Sequence, residues 1–177
     1  AATATSLAFT VIPRINATGR MGAPERAVRL LTCETQEEAE PLSAEICEDN
    51  DHRREVEAQI AKEAMEKIEQ DPALLYSRVI VVDGEGWHHG VIGIVASRIT
   101  ERFGKPCMVI STDGQMAKGS GRSVEGFSLF EAICACGDLM ERYGGHPMAA
   151  GITLPAENVP LFRERINQYA AQVCREM

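Results

Sequence analysis

The sequence predicts an α/β fold: a small mixed sheet with a strand-helix-strand unit flanked by helices, preceded by a long connector helix. Three observations carry that expectation. A glycine-free stretch from Thr35 to Gln70 repeats apolar residues at helical spacing. Two short apolar runs, RVIVVDG (78–84) and KPCMVIS (105–111), bracket an amphipathic segment. Small-residue stretches, AKGSGRS (117–123) and GGHPMAAGITL (144–154), then follow.

Taken in order, Leu42, Ile46, Val56, Ile60, Ala64 and Ile68 predict one helix over 42–70. Pro41 suits its first turn and Asp71-Pro72 ends it, while Asp49, Asn50, Asp51 and His52 weaken its middle. A long, mostly polar helix with a narrow apolar stripe suits a connector between domains. The run at 78–84 predicts a buried strand. Val91, Ile94, Val95, Ile99 and Phe103 give a helix over 90–104 that stops at Gly104. The second strand, 105–111, completes a unit expected to be parallel and right-handed. AKGSGRS comes next as an open, glycine-rich cradle. A helix is expected over 128–142 with Ser128 as N-cap, then a turn into a small-residue strand, and a last helix over 156–171.

The chain has 177 residues, enough for one ordinary domain and an appendage, with 45% hydrophobic and 25% charged residues. No apolar run approaches the roughly 18 residues of a membrane span, and no charged region precedes the first apolar stretch as in a signal peptide. The absent initiator Met and mid-pattern start lead to the expectation of a piece of a longer protein. The net charge of −8 is unevenly spread: +3 over residues 1–33, −10 over 34–71 and −1 over 73–177. The acidity is local, so a basic patch elsewhere stays compatible with a nucleic-acid ligand. Cys33, Cys47, Cys107, Cys134, Cys136 and Cys174 lack paired metal-ligand spacing and fit a reducing cytoplasm. Cys107 and Cys134, among apolar neighbours, are expected to be buried thiols.

Four segments carry chemistry. KGSGRS offers the Ser120 hydroxyl, the cations of Lys118 and Arg122, and amides opened by glycine. That set suits a cluster of anionic oxygens, and equally a soluble turn. In GWHHG, Trp87 and His88 lie between a strand end and a helix start, where parallel sheets bind ligands. Trp87 can stack a base or fill the core. In YGGHPMAAG, Gly144 and Gly145 permit unusual backbone angles or close ligand approach. His146 there can bind phosphate, move a proton or sit satisfied in the core. PRINATGRMG (13–22) brings the donors Arg14, Asn16 and Arg20 without a periodicity of its own. No Asp/His cluster at two-metal spacing, Walker loop or nucleophile elbow occurs, so these residues point to anion recognition rather than cleavage.

Together and in this order, PRINATGRMG, the acidic connector with NDHRREVE, GWHHGVIGIVASRITERFGKP, KGSGRS and YGGHPMAAG resemble a known family. They are similar to the C-terminal part of the RecJ single-strand-specific DNA exonucleases of the DHH phosphoesterase superfamily, from about Phe9 to Leu154. GGHPMAAG alone also fits DHH oligoribonucleases and cyclic-dinucleotide phosphodiesterases, and a non-catalytic nucleic-acid-binding module is the reading from a different class. The resemblance implies that residues 1–33 end a DHH catalytic domain. Residues 34–72 would be the connector, and 73–177 the DHH-associated nucleic-acid-binding domain. It implies a 5′→3′ exonuclease of recombination and repair in the bacterial cytoplasm. Its Mn²⁺ or Mg²⁺ ions would be held outside this chain, with none expected in it, so the chain alone would be inactive. Single-stranded DNA is the implied ligand. A single-strand-binding protein and a RecQ-type helicase are implied partners, and no membrane is. Ser120 and Arg122, beside Lys118, would bind phosphate at the 5′ end. Arg14, Asn16 and Arg20 would line the cleft from the other side. Gly144, Gly145 and His146 would lie near the scissile region, with a catalytic role for His146, and Trp87 and His88 would offer base contacts.

Overall fold

A computed structural model describes residues 3–173; Cys174 lies outside the described residues. The chain divides into two compact units, Ala1–Ala58 and Gln59–Met177, with the boundary inside the long helix.

The first unit is helical. A short helix α1 (Ala4–Ser6) and a π turn (Leu7–Val11) lead into α2 (Ile12–Met21) and α3 (Pro24–Thr32). PRINATGRMG therefore lies on a helix despite its weak periodicity. Gly22, at φ 92°, closes α2 with its amide on the Thr18 carbonyl. The long helix α4 runs Gln36–Gln70, beginning six residues earlier than expected. Pro41 sits inside it, not at its start. The Thr35 hydroxyl accepts from the Glu38 amide at 3.3 Å and marks the true beginning. The polar middle does not break the helix. Asn50 and Glu57 lie on its buried stripe, where Arg53 pairs with Glu57 and donates to Asn50 Oδ1 at 2.9 Å. Arg26 of α3 grips Asp49 at 2.8 and 2.9 Å. Polar groups bonded in this way can be buried without breaking the helix.

The second unit holds the sheet. After α5 (Pro72–Leu75) come β1 (Ile80–Glu85), α6 (Ile92–Phe103), β2 (Cys107–Asp113) and β3 (Met116–Arg122). Next are α7 (Leu129–Cys134), β4 (Arg142–His146), β5 (Ala149–Pro155) and α8 (Val159–Val173). The strand order is β1-β2-β3-β5-β4, with β1 and β2 parallel and the other pairs antiparallel. The strand-helix-strand unit and the last helix stand where the sequence put them. Residues 144–146, expected as a turn, lie on β4, and two further expectations fail. AKGSGRS is a central strand, not a loop, and residues 128–142 are not one helix. That stretch leaves α7 after Cys134, makes a 3-10 turn at Gly137–Leu139 and enters β4. A residue without Cβ at 137 favours the break. Ser128 does cap α7, accepting from the Glu131 amide.

One sheet face packs against α7 and α8, while on the other α6 packs against β2 and β3, and Ile80, Val82, Cys107 and Val109 are buried there too. Val79 and Val81, Met108 and Ile110, Ala117, Ile152 and Leu154 meet Leu129 and Ile133 of α7 and Phe162 and Ile166 of α8. Each large side chain so buried contributes about 1.5–3 kcal/mol. The face takes residues 129, 132, 133 and 136 of the α7 region, so Cys136 is buried and Cys134 is exposed, opposite to expectation for Cys134. Burial pushes the Cys136 thiol up to about 11 and raises Cys107 as well. The free edge of β1 is closed by side chains. Asn167 bonds the Val79 amide and carbonyl at 2.9 and 3.0 Å, Arg163 Nε the Val81 carbonyl at 2.9 Å, and Lys67 Nζ the Asp83 carbonyl at 2.7 Å. Such closure blocks strand addition there.

Candidate functional site

The opposite face of the sheet carries the site. Residues two apart on a strand share a face, so β3 presents Lys118, Ser120 and Arg122 together. The registers extend these positions into three rows: Lys118–Thr153–Arg142, Ser120–Gly151–Gly144 and Arg122–Ala149–His146. Lys118, Ser120, Arg122, Gly144 and His146 are therefore brought onto one surface. Arg142, Thr153 and Gly151 join them although the sequence did not single them out.

The middle row is bare. A Cβ on Gly144 would meet nothing within 4 Å, and one on Gly151 only the Gly119 carbonyl at 3.7 Å. These glycines leave an open floor on which a ligand can approach the backbone. Gly145 differs. It pairs with Ala150 at φ 154°, and a Cβ there would come within 2.5 Å of the Ala150 Cα. Its glycine serves the hairpin.

At the other end of the floor, Ser120 and Arg122 lie beneath the first turn of α6. A Cβ on Gly93 would fall 2.9 Å from Ser120 Oγ and 3.3 Å from Arg122 Nη2, so glycine lets the helix start sit this close without displacing either side chain. Arg122 Nη1 donates to the Gly121 carbonyl at 2.8 Å and to Ser120 Oγ at 3.4 Å, holding the guanidinium against the hydroxyl. The positive end of a helix dipole, a hydroxyl and a guanidinium favour an anion together. The cradle therefore works differently from the sequence expectation. Residues 116–122 pair on both sides, so their amides belong to the ladders, and the side chains and the first turn of α6 are the groups left open to a ligand.

Trp87 is a core residue. It is 5% exposed, a Cβ on Gly84 would strike its ring at 2.1 Å, and its Nε1 donates to Glu63 at 2.8 Å. Lys67 lies over its ring at 5.4 Å. So buried, its ring is packed rather than presented for stacking, which counts against the base contact expected of it. Its bond, and then that from Gln59, hold the Glu63 carboxyl below its usual range. His88 is half-buried and shapes the turn before α6, with Nδ1 accepting from the Gly90 amide at 3.2 Å. His89, stacked on it at 5.4 Å, is the exposed member and lines the groove with Lys118, Ser120, Arg142 and Thr153.

Arg14, Asn16 and Arg20 belong to the first unit, on α2. Asn16 and Arg20, four residues apart, share a helix face, whereas Arg14 turns away and bonds the Thr10 carbonyl. No three His, Cys, Asp or Glu side chains among the described residues could hold a metal ion. The divalent ions implied by the resemblance do not fit this donor set. Among the described residues no helix is long and apolar enough to cross a membrane.

The chain matches the DHHA1 domain model over residues 71–172. It is 44% identical to the single-stranded-DNA-specific exonuclease RecJ of Bacillus subtilis (strain 168), covering 97% of this chain and 22% of that protein. It thus spans about a fifth of that relative's length. It superposes on the crystal structure of RecJ from Thermus thermophilus in complex with Mg²⁺ with a TM-score of 0.87 and 36% identity, covering 96% of this chain and 26% of that one. A second crystal structure, exonuclease RecJ bound to manganese, gives 0.85 and 35% identity over 99% of this chain and 44% of that one. With more than half its length matched, this chain belongs to the DHHA1 domain family.

Proposed function

We propose that this chain is the nucleic-acid-holding part of a metal-dependent 5′→3′ exonuclease on single-stranded DNA, acting in recombination and repair. The observation that carries this reading is the Ser120–Arg122 pair held beneath the glycine start of α6. There the guanidinium offers a fork to a 5′-terminal phosphate, Ser120 donates its hydroxyl, and the positive end of α6 faces the same charge. The bare row at Gly151 and Gly144 receives the first nucleotide. His146, in the row of Arg122, contacts the next scissile phosphate. Lys118 on the sheet and, on α2, the donors Arg14, Asn16 and Arg20 offer further contacts to a strand. Cutting, with its Mn²⁺ or Mg²⁺, belongs to residues outside this chain. The names of its similar relatives support the substrate class. A bacterial cytoplasm, a single-strand-binding protein and a RecQ-type helicase complete the expected setting.

The test is binding by the full-length protein to 5′-phosphorylated single strands over a range of salt. Arg122→Ala should weaken affinity about tenfold and flatten the salt slope by about 0.7. An unchanged affinity and slope would overturn the phosphate role. Digestion of long single-stranded DNA, rather than only of short oligoribonucleotides, would separate this reading from the oligonucleotide phosphodiesterases.

A further inference from the structure

Ser123 ends the AKGSGRS stretch, and phosphate binding leaves it unused. At 6% exposure it is too buried to meet a strand. Its hydroxyl donates instead to the Phe127 carbonyl at 2.7 Å, closing the loop that leads from β3 to α7. Gly126, at φ 90°, turns within that loop, and Phe127 and Leu129 anchor its far end in the core. The hydroxyl therefore ties the backbone of Ser123 to a segment that is itself fixed.

Two amides of this segment reach the turn between β4 and β5. Ser123 N donates to the Met148 carbonyl at 2.9 Å, and Leu129 N donates to the Pro147 carbonyl at 2.9 Å. Pro147 directly follows His146, the last residue of an edge strand whose five residues are all exposed. No hydrogen bond or ion pair holds the His146 side chain among the described residues. Its place beside Arg122 is set by backbone alone, through the shared partner Ala149 and the held turn. We infer that Ser123 is a positioning residue, which holds the Pro147–Met148 turn so that His146 stays in the row of Arg122. The inference rests on the placement of His146 at the scissile phosphate proposed above. Without the hydroxyl the Phe127 carbonyl loses its donor, and the loop and the turn it carries can shift. Arg122 keeps its ladder partners on both sides, so cleavage suffers while 5′-phosphate binding does not.

The experiment uses the full-length protein, Mn²⁺ and 5′-phosphorylated single-stranded DNA. It measures single-turnover cleavage and strand affinity in wild type, Ser123→Ala, His146→Ala and the double variant. Ser123→Ala should slow cleavage about five- to tenfold and keep the wild-type ratio of affinities for 5′-phosphate and 5′-hydroxyl strands. In the His146→Ala background the same substitution should cost less than about twofold, because the group it positions is gone. A merely structural role would cost the same in both backgrounds. If His146→Ala is slow but Ser123→Ala is silent, or slows both backgrounds equally, the positioning role is wrong and the reading of His146 stands. Loss of the 5′-phosphate preference in Ser123→Ala would also overturn it, since the effect would then not run through the turn. If His146→Ala cleaves at the wild-type rate, the reading of His146 falls and this inference falls with it.

Discussion

The two faces of β3 are seven consecutive residues with opposite assignments. On one face Ala117, Gly119 and Gly121 press against Met108, Ile110, Ile152 and Leu129, and the residues must be small because the neighbours already fill the space. On the other face Lys118 stands exposed and Ser120 and Arg122 half-buried. Glycine and cation alternate here because a strand alternates, not because a loop needs both. The lesson is that packing and exposed polar groups alternate on this strand at single-residue resolution.

The sharpest attempt to break that separation is Gly121→Val. A Cβ there would lie 2.1 Å from Met108 Sδ and 2.9 Å from the Cys107 carbonyl, so the core must shift. A loss of about 3 kcal/mol in urea unfolding is expected. Arg122→Ala, one residue on, should lower affinity for a 5′-phosphorylated strand by about 1.4 kcal/mol and leave the urea midpoint within error. Trp87→Phe removes the Glu63 bond at the connector and should cost about 1 kcal/mol without changing phosphate preference. The same bond predicts a pH effect. Glu63 is held below its ordinary value, so its contribution is present above about pH 4.5 and is lost as pH falls through the lower folded value. Wild type should lose stability there more than Trp87→Phe does, measured by thermal unfolding between neutral and acid pH. Gly93→Ala is the smallest change. The added methyl meets Ser120 Oγ at 2.9 Å, a hydroxyl that can rotate away. Stability should hold, while 5′-phosphate affinity falls about threefold, close to 0.7 kcal/mol.

Much of the fold was legible because local pattern and tertiary demand agree. The apolar runs of β1 and β2, the stripe of α6 and the Ser128 cap each follow from neighbouring residues alone. The misses share one cause. MAKGSGR and RYGGH have poor strand propensity, and only pairing with β2 and β5 makes them strands. Leu139 and Met140 continue a helical spacing that Gly137 interrupts, so α7 looked longer than it is. The pairing of Ser120 with Arg122 was visible as a motif. Arg142 was not, although it occupies the same two-residue alternation with Gly144 and His146 and so marks a second strand facing the same way. Trp87 lacked any sequence signal choosing core over ligand; its choice depends on Glu63, 24 residues away on another element.

The central claim is that one face of this sheet holds the terminal phosphate and the other only holds the fold. The most direct measurement is the ratio of affinities for 5′-phosphate and 5′-hydroxyl single strands in full-length wild type, Ser120→Ala/Arg122→Ala and Ile152→Val. The last lies on the packed face. The expected result is a preference for the phosphate in wild type and in Ile152→Val, and its loss in the double variant with folding intact. An equal preference in all three, or its loss in Ile152→Val alone, would contradict the account.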